Sequence, residues 1–265
     1  MWSRFVDSYV PQTKNLNLAA RLVKKLYPIN HLAGIMEYIL TLYGFDKNDT
    51  KISVLSSGLI NSTWRLDVMH RSFILQRVNH SVFKSPSDID YNINLISEHI
   101  ERSNPSYTHL QLVPALNGTT LVQDDTGNYY RAFIWLDGVT FEVLNDSSLA
   151  FEAARKFGEY TRILSNISVA DIRVALPQFH DLTLRVNQYH QSLAHASASR
   201  LDASTKAINW INTFEYVHGQ YLTSLEVIKT RVVHHDTKIS NVLFDHNNKG
   251  IKCISMSGER RNQFE

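Results

Sequence analysis

Apolar residues first recur at helical spacing at Leu32, Ile35, Ile39 and Leu42/Tyr43, with Asn30 before the run and Gly44 after it. A 3.6-residue period bounded by a capping side chain and a glycine predicts a helix between those two residues. Lys51 to Leu55 reads as a strand. Trp64, Leu66 and Val68 alternate with Arg65 and Asp67, the pattern of a half-buried strand, and Phe73 to Val78 is another across the turn Met69 to Ser72. The segment Ser56 to Thr63 between the first two strands is small and polar, with one glycine. Pro86 suits a first helical turn, Asp88 is favourable beside it, and Ile89, Ile93, Ile96 and Ile100 predict one apolar face on a helix reaching Glu101. Thr119 to Gln123 and Asn128 to Leu136 read as strands across the turn Asp124 to Gly127, and Asp137-Gly138 ends them.

From Ser147 onward the pattern turns helical. Phe151, Ala154, Phe157 and Thr161/Leu164 predict one buried face, and Ile208, Ile211, Phe214, Val217 and Tyr221 a later one. Ser192 to Ser204, rich in Ala and Ser, suits either a helix or a mobile surface segment. Val232-Val233 and Val242-Leu243-Phe244 read as strands on either side of a short polar loop. A small antiparallel sheet with one helix, a hinge and then helices predicts an α+β, protein-kinase-like two-lobed fold, with its ligand cleft between the lobes. The expected divisions are a helical segment at 1–45, a nucleotide-binding N-lobe at 46–138 and a helical C-lobe at 139–265.

Composition narrows this modestly. The chain has 265 residues, 43% of them hydrophobic, enough for a large core. A net charge of +2 is too mild to argue for a nucleic-acid or membrane partner. Cys253 is the single cysteine, so no intrachain disulfide is possible. Arg4, Asp7, Lys14, Arg21, Lys24 and Lys25 interrupt the apolar residues of the first 44 positions, which gives no membrane-spanning run and no signal-peptide pattern. The expectation is a cytoplasmic protein, with its oligomeric state open.

The candidate chemistry is concentrated at His234-His235-Asp236-Thr237-Lys238-Ile239-Ser240-Asn241, which reads H-x-D-x-x-x-x-N between two apolar strands. Phosphoryl-transfer enzymes of the protein-kinase type use this spacing: the Asp accepts the proton of the attacking hydroxyl and the Asn reaches a Mg²⁺ ion between ATP phosphates. Lys238 is placed to meet the transferring phosphate as a point charge. His234 is expected to support the loop, and His235 has no assigned role. A metal-dependent hydrolase built on His234, His235 and Asp236 is an alternative from another class.

Read together, Gly58-Leu59-Ile60-Asn61-Ser62-Thr63, Phe73-Ile74-Leu75-Gln76-Arg77-Val78-Asn79 and His235 through Asp245 resemble the aminoglycoside phosphotransferase-like kinases. The similarity is strongest to the N-acetylhexosamine 1-kinase branch, which Ala153 to Gly158 and Pro177 to Asp181 also resemble. The resemblance implies a kinase-like fold, ATP and Mg²⁺ as cofactors, and a small hydroxyl-bearing acceptor, an amino sugar in that branch. Within it, Gly58 lets backbone approach phosphate, Asn61, Ser62 and Thr63 offer donors, and Arg77 is the cation for the nucleotide phosphates. Asp90 and Glu98 are both available as its acidic partner. The branch also has an acidic Mg²⁺-binding stretch after a Cys-hydrophobic pair. Here Cys253-Ile254 are followed by Ser255-Met256-Ser257, and a charged, poorly apolar stretch follows. The expectation is a truncated kinase with an incomplete helical lobe, either impaired or a silent nucleotide-binding remnant.

Overall fold

The computed structural model describes residues 29–57, 61–143, 146–234, 236–247, 249–253 and 259–262. They form two compact units. One takes residues up to Arg77 together with Val113–Ala132, the other Val78–Leu112 together with residues from Phe133 on.

The first unit is a helix on a sheet. Helix α1 (Ile29–Leu42) contains Asn30 instead of being capped by it, and precedes β1 (Thr50–Ser57), β2 (Ser62–Val68) and β3 (Arg71–Val78). Gly44 takes φ +73°, and the Phe45 amide bonds back to the Leu40 carbonyl at 2.9 Å. This left-handed glycine stop satisfies orphan carbonyls of the last turn. The strands β4 (Leu112–Val113), β5 (Leu121–Gln123) and β6 (Tyr129–Ile134) complete a six-stranded sheet of order β1-β2-β3-β6-β4, with β5 paired to β6. The β1–β2, β2–β3 and β5–β6 pairs are antiparallel. Ile35, Met36, Ile39 and Leu40 of α1, with Tyr43 just past its end, pack on Leu66, Phe73, Leu75, Val122, Tyr130 and Ala132.

The second unit begins with α2 (Pro86–Ser103), which has Pro86 in its first turn and Ile89, Ile93, Ile96 and Ile100 buried. Ile96 and Ile100 enter the core of this unit, so α2 groups with the helices and not with the sheet. There it meets α3 (Ser147–Leu164), whose N-cap Asp146 accepts the Ser148 amide at 2.8 Å. The buried side of α3 matches the expected one only in part. Leu164 is inside as expected and Phe157 packs on the same core, but the rest of the buried side is Leu149, Ala153, Lys156, Tyr160 and Ile163, whereas Phe151 is 66% exposed. Reading apolar letters alone set the phase wrongly, because Lys156 buries its stem while its ammonium reaches Glu159 at 2.8 Å.

Three more helices follow: α4 (Leu182–His195), α5 (Ala198–Asn212) and α6 (Tyr216–Val227). The Ala/Ser-rich segment is thus helical on both sides of a break at Ala196-Ser197. The face expected across Ile208 to Tyr221 is split between α5 and α6, and none of its residues is buried. Strand β7 (Thr230–Val233) leads into the polar loop, and β8 (Val242–Phe244) leads out of it into β9 (Gly250–Cys253). Glu259–Asn262, too charged to read as a core element, is strand β10, paired antiparallel with β7. Ladder bonds are made by backbone, so an edge strand needs no apolar side chains.

Candidate active site

The H-x-D-x-x-x-x-N loop is suspended between two buried strands. Val232 and Val233 end β7 at 1% and 4% exposure, and Val242, Leu243 and Phe244 are all buried. Phe244 also pairs with Val139 through two backbone bonds of 2.9 Å. Gly138 beside it has φ +153°, and a Cβ there would lie 2.6 Å from the Phe244 carbonyl oxygen. Only glycine fits that approach.

His234 is a support, as its neighbours make clear. It is 6% exposed, and its ring stands edge-on to Phe157 and Tyr160 at 5.2 and 5.9 Å. Its Nδ1 accepts the backbone N–H of Asp236 at 3.3 Å, which requires that nitrogen to be unprotonated. His235 lies outside the described residues.

Asp236, Lys238 and Asn241 come together on one carboxylate. Asn241 Nδ2 donates to the Asp236 carbonyl oxygen at 2.8 Å and to Asp236 Oδ2 at 2.9 Å. Lys238 Nζ lies 3.3 Å from the same Oδ2. A 3-10 turn over Ile239–Asn241 closes the reach, with the Asn241 amide bonded to the Lys238 carbonyl at 3.0 Å. Asp236 and Lys238 are each well over half exposed, so their ion pair adds little stability, and a ligand can compete for either partner.

The nucleotide-side candidates are less unified. Gly58 lies outside the described residues, and Asn61 precedes β2. The register sets Thr63 opposite Gln76 and Ser62 opposite Arg77. Alternation therefore puts Thr63 and Arg77 on opposite faces of the sheet. Arg77 shares its face with the Ser62 hydroxyl, which its Nη2 reaches at a long 3.5 Å, and with the Tyr130 hydroxyl. Burial and the Asp124 carboxylate push the Tyr130 hydroxyl well above its ordinary pKa, against the pull of Arg77. Of the expected acidic partners, Asp90 accepts from Asn94 Nδ2 at 3.2 Å and Glu98 is exposed.

Two features escaped the sequence reading. Gln76, given no role by the sequence, receives Arg131 Nε and Nη2 on one oxygen at 3.0 and 2.8 Å, and both residues are buried. A lone arginine inside the apolar run Tyr129 to Ile134 was the available signal, since a buried charge requires a partner. Asn92, fully buried on α2, donates to the Arg173 carbonyl at 2.7 Å and accepts its amide at 2.9 Å. Ser255 and Ser257, where acids were expected, lie outside the described residues. Among the described residues no cluster of three His, Cys, Asp or Glu can hold a metal by itself.

A kinase-like α+β fold carrying this loop defines a phosphotransferase. The chain belongs to the phosphotransferase enzyme family (APH), whose profile matches residues 51–254. That membership displaces the hydrolase alternative. Solved structures share the fold at low identity. A microcompartment-associated aminopropanol kinase is 16% identical, with 86% of this chain and 70% of that one covered and a TM-score of 0.60. A spectinomycin phosphotransferase in complex with ADP and spectinomycin is 13% identical, with coverage of 88% and 71% and a TM-score of 0.58. A thermostable mutant of an aminoglycoside phosphotransferase, in ternary complex with AMP-PNP and hygromycin B, is 14% identical, with coverage of 85% and 72% and a TM-score of 0.53.

Proposed function

We propose that the chain is an ATP- and Mg²⁺-dependent kinase whose acceptor is a hexosamine or related amino sugar, phosphorylated at the anomeric hydroxyl. The observation that supports the chemistry is the meeting of Asp236, Lys238 and Asn241 at one carboxylate. Asp236 accepts the proton of the acceptor hydroxyl, assistance typically worth about a hundred- to ten-thousand-fold. Lys238 supplies positive charge beside the group being transferred, and Asn241 fixes the angle of the Asp236 carboxylate. The sugar branch is supported by the sequence resemblance alone.

The donor set suits the metal in part. Asn241 commits its Nδ2 to Asp236, which leaves Oδ1 as a hard oxygen ligand of the kind Mg²⁺ takes. When bound, ATP supplies the phosphoryl group and Mg²⁺ the counter-charge. On the nucleotide side we assign Gly58, Asn61, Thr63 and Arg77, with Arg77 recruited from its long bond to Ser62. Ser255 and Ser257 are poor substitutes for the carboxylates of the resembled branch. We therefore infer low turnover, and a nucleotide-binding protein with little transfer is the second reading. No described helix is long and apolar enough to cross a membrane, and with the single Cys253 this favours our placing the reaction in the cytoplasm.

The test is a panel of amino sugars, amino alcohols and aminoglycosides, scored by Mg²⁺-dependent ADP release. Phosphorylation confined to amino sugars supports the assignment. Activity on amino alcohols or aminoglycosides with none on amino sugars rejects the sugar and keeps the kinase.

A further inference from the structure

Helix α3 is apolar on two sides. One side is sealed by the core around Leu149, Tyr160 and Ile163. The other, running through Ala150, Ala154, Phe157, Gly158 and Thr161, lines a groove of about 540 Å³. The far wall of the groove is Arg231 of β7 with Thr237 and Ile239 of the catalytic loop. A helix with apolar residues on both sides is one that packs on both sides. Ala150, Ala154 and Gly158 recur every four residues, so a second backbone can come close, and a Cβ at Gly158 would meet nothing within 4 Å.

The groove also carries one unsatisfied donor. Arg231 Nε is buried with no hydrogen-bond partner among the described residues, a deficit that an acceptor would relieve. Arg261 lies opposite Arg231 in the β7–β10 register. Residues 1–28 of the chain are a poor match, because they hold Arg4, Lys14, Arg21, Lys24 and Lys25 against Asp7 alone.

We propose that this groove is a docking site for an apolar helix of a partner polypeptide, which brings one carboxylate to Arg231. Thr237 stands between Asp236 and Lys238, so the docked helix braces the loop that holds the proton acceptor.

The experiment uses a fluorescein-labelled synthetic helix of about 18 residues, with a Leu/Ala face and one central Glu, and its Gln counterpart. Anisotropy titration against the full 265-residue protein is expected to show saturable binding, about tenfold tighter for Glu than for Gln. Arg231→Gln should abolish that preference, and Ala154→Leu, which fills the groove, should weaken both peptides about tenfold or more. Absence of saturable binding, equal affinity for the two peptides, or undiminished binding to Ala154→Leu overturns the proposal.

Discussion

Asn241 holds Asp236 by two bonds from a single amide nitrogen, 2.8 Å to its carbonyl oxygen and 2.9 Å to its carboxylate. Backbone and side chain of Asp236 are thereby fixed by one residue five positions on. This makes the loop a unit, and units respond to mutation non-additively. Asp236→Asn is expected to lower turnover about a hundred- to ten-thousand-fold while leaving Mg·ADP affinity within a few-fold. Asn241→Ala should lower both, and the double variant should be scarcely worse than Asp236→Asn. Turnover in single-turnover assays and nucleotide binding by calorimetry check this. Near-normal turnover of Asp236→Asn would remove it from the role.

On the proposed reading, carboxylates at positions 255 and 257 should raise activity. The double substitution Ser255→Asp, Ser257→Asp is expected to raise Mg²⁺-dependent ADP release by about a hundred- to a thousand-fold over the parent chain, the scale of one strong electrostatic contact in a transition state. Equal rates for parent and variant would show that serines at these positions are not what limits the reaction.

Asn92 ties α2 to the segment carrying Arg173, whose guanidinium stacks 3.7 Å from the Tyr91 ring centroid and reaches Asp88 at 3.2 Å. Asn92→Ala removes two part-buried hydrogen bonds to the Arg173 backbone, together a cost of about 2–3 kcal/mol. The melting temperature should fall by roughly 5–12 °C on that basis. A shift under about 2 °C, within what ordinary surface changes produce, would mean that water or rearrangement replaces the clamp.

The Asp124 turn makes a pH-dependent contribution. Burial opposes ionisation of Asp124, but hydrogen bonds from Asn128, Thr126 and Tyr130 outweigh it and hold its pKa below the ordinary 3.8. A carboxyl depressed in the folded state stabilises above its unfolded pKa, and that stability is lost as pH falls through the folded value. Thermal melts of wild type and Asp124→Asn should therefore differ most near pH 6 and converge toward pH 3. A gap that stays constant across this range would assign the effect to geometry and not to charge.

Much of this protein was legible in its sequence because the relevant information is local. Strand alternation at Trp64 to Val68, the isoleucine stripe of α2 and the Asp124–Gly127 turn all rest on neighbours within a few residues. The spacing of Asp236, Lys238 and Asn241 did so too, since a 3-10 turn between two apolar strands brings them together with no distant help. Where a reading failed, the deciding partner was far along the chain. The buried side of α3 turns on Lys156, which looks polar until the fold brings the Tyr107 ring, from the chain just beyond α2, to 5.2 Å from its ammonium. The role of Gln76 awaited Arg131, 55 residues later, and that of Asn92 awaited Arg173, 81 residues later. Sequence fixes which side chains bear charge or can bury a stem. Only tertiary packing decides which of them leave water, because the cost of burying a polar group depends on the partner the fold delivers.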